Sequence, residues 1–451
     1  MATEASSNGN VLARLDRIPV WPWPRSLLWV LGAGYFFAFF DIVNIGAALP
    51  EIAKQFHVSS DAASWAVTAS LLAYIVGAYV DGTIADRWGR RVSLAISVAL
   101  FAIGSIWAAF TFSLGWLIVA RVIAGLGIGA EIASVTTYLS EVAPTKVRGR
   151  YTSWANVFAY AGFAVVPLVA RALVPNFDWG WRALFLIGAL GGTTILFMRR
   201  NLHETPRWLV AHGREKEAAD LIENAEQRAR EQTGWDLPPA ESAGQNRKSE
   251  EFPTLALFKP PYRRRVLLLI AIWFFYYIGN YGWLEMAPTL LQKQGYSIAE
   301  SLTFLLVTGA GFLAGALLSV LWNDRFERKW SIAVIAAVWS AALFVIGFFP
   351  QPVVIMIAGF IASTTIGLLV PIMYTLTAEH FATRARATGV AISDGLGHLG
   401  GAAAPAIALW AAGLTGFAGG LSAMAISGLV VIVLIPFTLS VTGRSLESAN
   451  N

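Results

Sequence analysis

The chain contains no cysteine, only five histidines, and little charge: 14% of its 451 residues are Asp, Glu, Lys or Arg. The missing thiols exclude disulfides, thiolate metal sites and cysteine chemistry. Soluble domains of this size carry about a quarter charged residues, so the deficit excludes an ordinary water-soluble globule. No G-x-x-x-x-G-K-[ST] run is present, and neither H-E-x-x-H nor G-x-S-x-G occurs. ATP hydrolysis and the common hydrolase chemistries therefore have no motif to stand on. An enzyme is not expected, and neither is a cofactor or a resident metal.

What the chain does have is apolar length. Hydrophobic residues make up 56% of it, and runs of around 20 apolar residues, enough to cross ~30 Å of hydrocarbon, recur twelve times. They lie near 27–49, 62–81, 92–112, 115–140, 152–174, 182–198, 265–287, 299–322, 331–349, 353–378, 387–412 and 416–440. This predicts an all-α membrane protein of twelve transmembrane helices. The net charge of +5 reads as topology, not as nucleic-acid binding. With both termini cytoplasmic, 28 of the 33 Lys and Arg fall on the inner face, the exceptions being Lys54, Arg121, Arg171, Arg182 and Lys293. The expected location is the cell membrane, and the expected partners are lipid and a small molecule. Residues 1–26 are polar and do not form a cleavable signal; "WPWPRS" predicts Trp21 and Trp23 at headgroup level.

One offset of 238 residues relates the two halves. "DRWGRR" (86–91) returns as "DRFERK" (324–329), and "EVAPTKVR" (141–148) as "EHFATRAR" (379–386). Tyr35-Phe36-Phe37 faces Trp273-Phe274-Phe275, and Pro50 faces Pro288. The chain reads as a duplicated six-helix unit: a bundle over 27–198, a cytoplasmic linker over 199–264 with amphipathic helical spacing, a second bundle over 265–440 and a tail over 441–451. Parallel duplicates of this kind typify transporters with a central midplane site.

Against this background, intramembrane charges stand out, because a side chain ionised in hydrocarbon costs several kcal/mol and survivors face a cavity or a partner. The fourth span, "RVIAGLGIGAEIASVTTYLSE" (121–141), carries Arg121, Glu131 and Glu141, while Asp41 is the one acid within the first span. Asp41 aligns with Gly279 in the repeat, Arg121 with Gly359 and Glu131 with Leu369, so the duplicated fold does not require these charges. Glu141, by contrast, returns as Glu379 and reads as structural or gating. At the cytoplasmic helix ends, Asp86, Arg87, Arg90, Glu141, Arg148 and Arg150, with Asp324, Arg325, Glu379 and Arg386 in the second half, form candidate ion pairs that hold one conformation against another. The glycine-rich "GLGIGA" (125–130) follows no strand and is expected to be a helix-packing surface.

The motifs "DRWGRR", "RVIAGLGIGAEIASVTTYLSEVAPTKVRGR", "ETPRWLVAHGR" and "GRSLE" together resemble the sugar-porter-like signatures of the major facilitator superfamily. The resemblance spans the chain and implies its fold, two six-helix bundles related by a pseudo-two-fold axis, usually as a monomer. The seventh span departs from the sugar porters: "FYYIGNY" (275–281) puts Phe275, Tyr276 and Tyr281 where Q-Q-x-x-G-x-N places amides, and Asn156 stands where they generally carry Gln. "GAE…SE", "YYIGNYGWLEMAPTLL" and "RARATGVAISDGLGHLGG" instead resemble the nicotinate and organic-ion porter branch.

The resemblance also implies that Asp41 on helix one lies beside Arg121 on helix four and takes part in proton coupling, the proton being the coupling ion. Burial favours the protonated form of a carboxyl and an adjacent guanidinium the ionised form, so helix movement can switch the two. A static buried pair is the alternative. Glu131 lies ten residues beyond Arg121, about 15 Å along the axis, and is expected deeper in the cavity, as a second proton site or receiving a basic ring nitrogen; a helix-packing acid is its alternative. Asn44, Asn156, Asn280, Tyr281, Trp283 and Tyr374 are further candidates for a substrate cavity, with Glu285 near its outer mouth. Asp394 and His398, at i and i+4, are expected to touch, as a pH-sensitive element or as a satisfied polar pair. The resulting expectation is a proton symporter of a small aromatic or heteroaromatic carboxylate, nicotinate-like. The alternatives are a sugar or polyol symporter, and an efflux protein or transporter-like sensor.

Overall fold

A computed structural model describes residues 11–240, 254–322, 326–381 and 383–439. The first bundle comprises α1 (Arg25–Gln55), α2 (Ser60–Trp88), α3 (Arg90–Ala109), α4 (Leu114–Val142), α5 (Arg148–Leu173) and α6 (Gly180–Arg199). Two short helices follow, Pro206–Ala211 and Glu215–Thr233. The second bundle opens with α7 (Arg263–Lys293), interrupted by a π turn at Gly282–Met286. It continues through α8 (Ile298–Trp322), α9 (Arg328–Phe348) and α10 (Pro352–Glu379). The last stretch, Thr383–Leu434, is helical except at Thr415 and Gly416; Gly416 has φ 70° and separates α11 (383–414) from α12 (417–434). These are the twelve expected spans, with α1 extending to Gln55 and the last two joined by a two-residue break.

Helices are what a bilayer demands, since only intrasegment hydrogen bonds satisfy the backbone where water is absent. Leu, Val and Trp side chains such as Trp29, Leu190 and Val433 stay exposed around the rim, as lipid-facing positions should. Inside the bundles small residues bring backbones together. A methyl added at Gly77, Gly125 or Gly129 would strike the carbonyl oxygens of Leu126, Ser70 and Tyr74, so α2 and α4 meet backbone to backbone along the "GLGIGA" run.

The amino-terminal segment turns Trp21 and Trp23 onto helix ends of the first bundle. Trp21 is 5% exposed, with its ring 4.5 Å from Tyr151, and Trp23 Nε1 donates to the Val142 carbonyl at 2.8 Å. A dock holds the segment there: Leu15 and Ile18 pack on Ile222, Ala225 and Ala229 of Glu215–Thr233. Arg14 and Arg17 close the dock by donating to Glu226 at 2.9 and 2.6 Å.

The two bundles touch at mid-depth and toward the end remote from the termini. Gly46 of α1 lies against Glu285 of α7, Phe163 of α5 against Phe312 of α8, and Thr68 Oγ1 of α2 donates to the Ala402 carbonyl of α11 at 2.9 Å. Farther out, Arg171 Nε donates to Thr303 Oγ1 at 3.0 Å. Ile42–Pro50 of α1 and Tyr276–Leu291 of α7 are continuously buried, so the remote end is shut.

Candidate functional site

Two ionic clasps cross the first bundle at different depths. In one, Arg121 Nη1 of α4 donates to Asp41 Oδ2 of α1 at 2.6 Å, both side chains being fully buried. Ser105 of α3 and Asn44 of α1 donate to Asp41 Oδ1 at 2.7 and 3.1 Å. Arg121 Nη2 reaches the Asp41 carbonyl and Ser70 Oγ of α2, each at 3.2 Å, and its guanidinium lies 5.4 Å from the Phe185 ring of α6. Five helices thus meet at one carboxylate–guanidinium pair, the juxtaposition that the resemblance implied.

The second clasp holds Glu131. Its carboxylate is fully buried and held by Arg199 of α6, Nη1 to Oε2 at 2.7 Å and Nη2 to Oε1 at 2.6 Å. Ser97 of α3 adds a bond to Oε2 at 2.7 Å. Glu131 is therefore bonded between α3, α4 and α6 in this conformation and is fully buried. Arg199 was absent from the sequence candidates because it ends a span, where positive charge reads as topology. Gly34 of α1 lies directly on this clasp, and a methyl there would meet Arg199 Nη2 and Glu131 Oε1. A third buried acid, Asp81 of α2, was also missed; it is bonded by Ser93 and Ser134.

Near the termini the gating candidates form pairs inside each bundle. Arg90 bonds Asp86 at 2.6 Å and Glu141 at 2.9 Å, and Arg328 bonds Glu379 at 3.0 Å. Arg90 and Arg328 are 238 residues apart, as are Glu141 and Glu379, so this pair is duplicated with the fold. Glu204 of "ETPRW" accepts the amides of Arg90 and Arg91 at 3.0 and 3.2 Å, capping α3, and Thr205 Oγ1 donates to Glu141 at 2.5 Å. Arg148 lies 3.4 Å from Asp16, while Arg87 and Arg150 are exposed. Among the described residues no ion pair bridges the bundles at this end. Asp324 and Arg325 lie outside the described residues.

Of the remaining candidates, Tyr281, Tyr374, Asp394 and His398 gather round Tyr277 and Trp273, while the others lie apart. Asn44 is fully buried beside Asp41, and Asn280 and Tyr281 are 6% and 5% exposed on α7. Trp283 is anchored by its Nε1 to Ser363 Oγ of α10 at 3.0 Å. Tyr374 is half-exposed on α10, its ring 4.8 Å from that of Trp273. Asn156 is exposed on α5 and joins none of these groups. His398 meets Asp394 chiefly through the backbone, Nδ1 lying 2.9 Å from the carbonyl and 3.7 Å from Oδ1. The carboxylate instead accepts from Tyr277 at 2.6 Å, and the imidazole packs between Tyr74 of the first bundle and Tyr277 of the second. Glu285 is 1% exposed, buried where α1 and α7 interlock against Gly46.

This is the architecture of a bilayer protein built from two like bundles, and known proteins share the fold. The sequence model of the family described as "Sugar (and other) transporter" matches residues 28–451. The niacin transporter NiaP of Acinetobacter baylyi is 28% identical over 401 residues, covering 88% of this chain and 89% of its own. An arabinose-proton symporter of Bacillus subtilis is 26% identical over 371 residues, 78% of each chain. Among solved structures, a partially occluded inward-open form of the xylose transporter XylE of E. coli superimposes with TM-score 0.75 at 20% identity, covering 93% of this chain and 99% of that one. With the family match spanning both bundles and the fold shared from end to end, the chain belongs to the sugar (and other) transporter family of the major facilitator superfamily, and it is a multi-pass membrane transporter, not an enzyme.

Proposed function

We propose that this transporter is a proton symporter of a small organic acid, aromatic or heteroaromatic by preference. The observation that carries the reading is the Asp41–Arg121 pair, fully buried at the core of one bundle and without a counterpart in the other. A pair needed only to build the fold would be expected in both copies. An unpaired carboxylate in this setting costs several kcal/mol, so when helix movement parts the two groups Asp41 holds a proton. When they meet again the carboxylate is regenerated and the proton leaves. With the termini cytoplasmic, the shut end is the outer one and the closed pair belongs to the inward-facing step, after proton release.

The aromatic seventh span supports a flat acid over a hexose. Tyr276 and Tyr281 are buried where the sugar porters place amides, leaving few groups to pair with sugar hydroxyls. The niacin transporter among the relatives points the same way; the arabinose-proton symporter and the xylose transporter keep the sugar reading as the alternative. The test is uptake into proteoliposomes across an imposed pH gradient, with nicotinate, benzoate and D-xylose side by side. Nicotinate or benzoate should accumulate uphill, and Asp41→Asn should abolish accumulation while sparing exchange. Undiminished accumulation by Asp41→Asn at matched protein level removes the coupling role, and accumulation of xylose alone establishes the sugar reading.

A further inference from the structure

Five acids are buried among the described residues: Asp41, Asp81, Glu131, Glu226 and Glu285. Four of them are bonded by arginines, serines or both. Glu285 alone is bonded by no side chain: neither carboxyl oxygen has a partner of good hydrogen-bond geometry, and the backbone amide of Gly46 is the donor near it. It lies at the meeting of the bundles, where a methyl on Gly46 of α1 would come within 2.6 Å of Oε2 and 2.7 Å of the Glu285 Cα. Its side chain lines a small void with Ser70, Tyr74, Gly125 and Ile128 of the first bundle. Ser70 is also the hydroxyl that accepts from Arg121 Nη2. The void is walled mainly by apolar side chains, Ile42, Ile45, Val67 and Leu71 among them, and its lining includes both Ser70, which Arg121 bonds, and Glu285.

The backbone around Glu285 is as unusual as its side chain. The π turn Gly282–Met286 carries it, and such turns re-aim side chains and concentrate at functional sites. Burying a carboxyl that no side chain bonds is costly, and a group retained only for packing would have found a side-chain donor, as the other four did.

We propose that Glu285 is the second bundle's half of the substrate site, where its carboxyl hydrogen-bonds a nitrogen of the substrate. Arg121, released when Asp41 takes up a proton, receives the substrate's carboxylate from the opposite bundle. The substrate class is a small heteroaromatic acid with its nitrogen and carboxylate at separate edges of one ring, so that one molecule ties the bundles together. This rests on the organic-acid reading above and narrows it. An acid whose ring lacks nitrogen leaves Glu285 without a ligand bond, and a sugar gives Arg121 no anion. A site built to hydrogen-bond a group discriminates against ligands lacking it.

The experiment is binding to the purified protein, followed by tryptophan fluorescence, with nicotinate, benzoate and D-xylose as probes. Wild type should bind nicotinate ~10- to 100-fold more tightly than benzoate, the range of one hydrogen bond to a charged or buried group. Glu285→Leu should erase that preference with benzoate affinity unchanged or improved, and Glu285→Gln should keep part of it. Melting temperatures at or above wild type show that the variants fold. If Glu285→Leu does not fold, Glu285→Gln decides: a fall confined to nicotinate supports the proposal, and equal falls for both acids overturn it. Equal wild-type affinities for the two acids, or a preference that survives in Glu285→Leu, also overturn it while leaving the organic-acid reading intact. Binding of xylose with neither acid overturns both.

Discussion

The first bundle stores opposite charges in its interior; the second fills the matching places with rings. Where Asp41 meets Arg121, the duplicate has Gly279 beneath the Trp339 indole and Gly359 beside the Trp283 indole. Where Glu131 meets Arg199, it has Leu369, fully buried. Both solutions close a six-helix bundle, so packing alone selects neither. The pair shared by both halves, Arg90–Glu141 and Arg328–Glu379, sits at helix ends near the termini, where solvent already lowers the cost of charge. Charge common to the copies is architectural, and charge confined to one copy is the better candidate for turnover.

The sharpest way to break this contrast is to remove one member of the Glu131–Arg199 clasp. Glu131→Leu or Arg199→Met should each cost ~3–5 kcal/mol by stranding a buried charge, and the double variant should recover most of it. Thermal melts in detergent decide this, and additive losses would show that the two do not act as a pair. The converse change in the second bundle is smaller. Gly279→Ala drives a methyl into the Trp339 ring and should cost ~1–3 kcal/mol by overpacking. A melting temperature equal to wild type would show that the indole has room to move.

The duplicated helix-end pairs offer a matched comparison. Glu141→Gln and Glu379→Gln should each lose ~1–2 kcal/mol, the scale of a hydrogen bond to a charged group; a large difference between them would break the symmetry. The weakest effect is expected at the amino-terminal dock. Burial raises the Glu226 carboxyl, but hydrogen bonds from Arg14 and Arg17 outweigh it and hold it below its ordinary value. The dock is therefore at full strength above the ordinary glutamate range of about 4.3 and weakens only as pH falls through the lowered native value. Hydrogen exchange over residues 11–23 should stay slow at pH 5 and accelerate only in stronger acid; acceleration between pH 7 and 5 would contradict this.

Much of the fold was legible because hydrophobic length and a fixed repeat offset need no tertiary information. The Asp41–Arg121 contact followed from a motif resemblance, and the "GLGIGA" packing from residue size. What escaped depended on which helices meet. Arg199 closes a span beside Arg200, so its sequence context reads as anchoring, and only folding carries it to the middle of α4. Glu131 was placed by its rise along one helix, which says nothing about the helix opposite. Glu204 caps α3 from a distant loop. Glu285 was named as a cavity candidate, but its π turn, and the interlock with Gly46 that follows from it, are not written in ordinary helical periodicity. The protein contacts of Trp21 and Trp23 depend on the docked amino-terminal segment, which a rule for interfacial aromatics does not describe.

The two clasps also have a mechanical meaning. One gathers α1, α2, α3 and α4 at a single level and the other pins α3, α4 and α6 at a second. With both shut, the first bundle is riveted on two storeys and resists shear and twist. A proton on Asp41 would undo one rivet and leave the other, so α1 would gain play against α4 while α3, α4 and α6 stay pinned as one block.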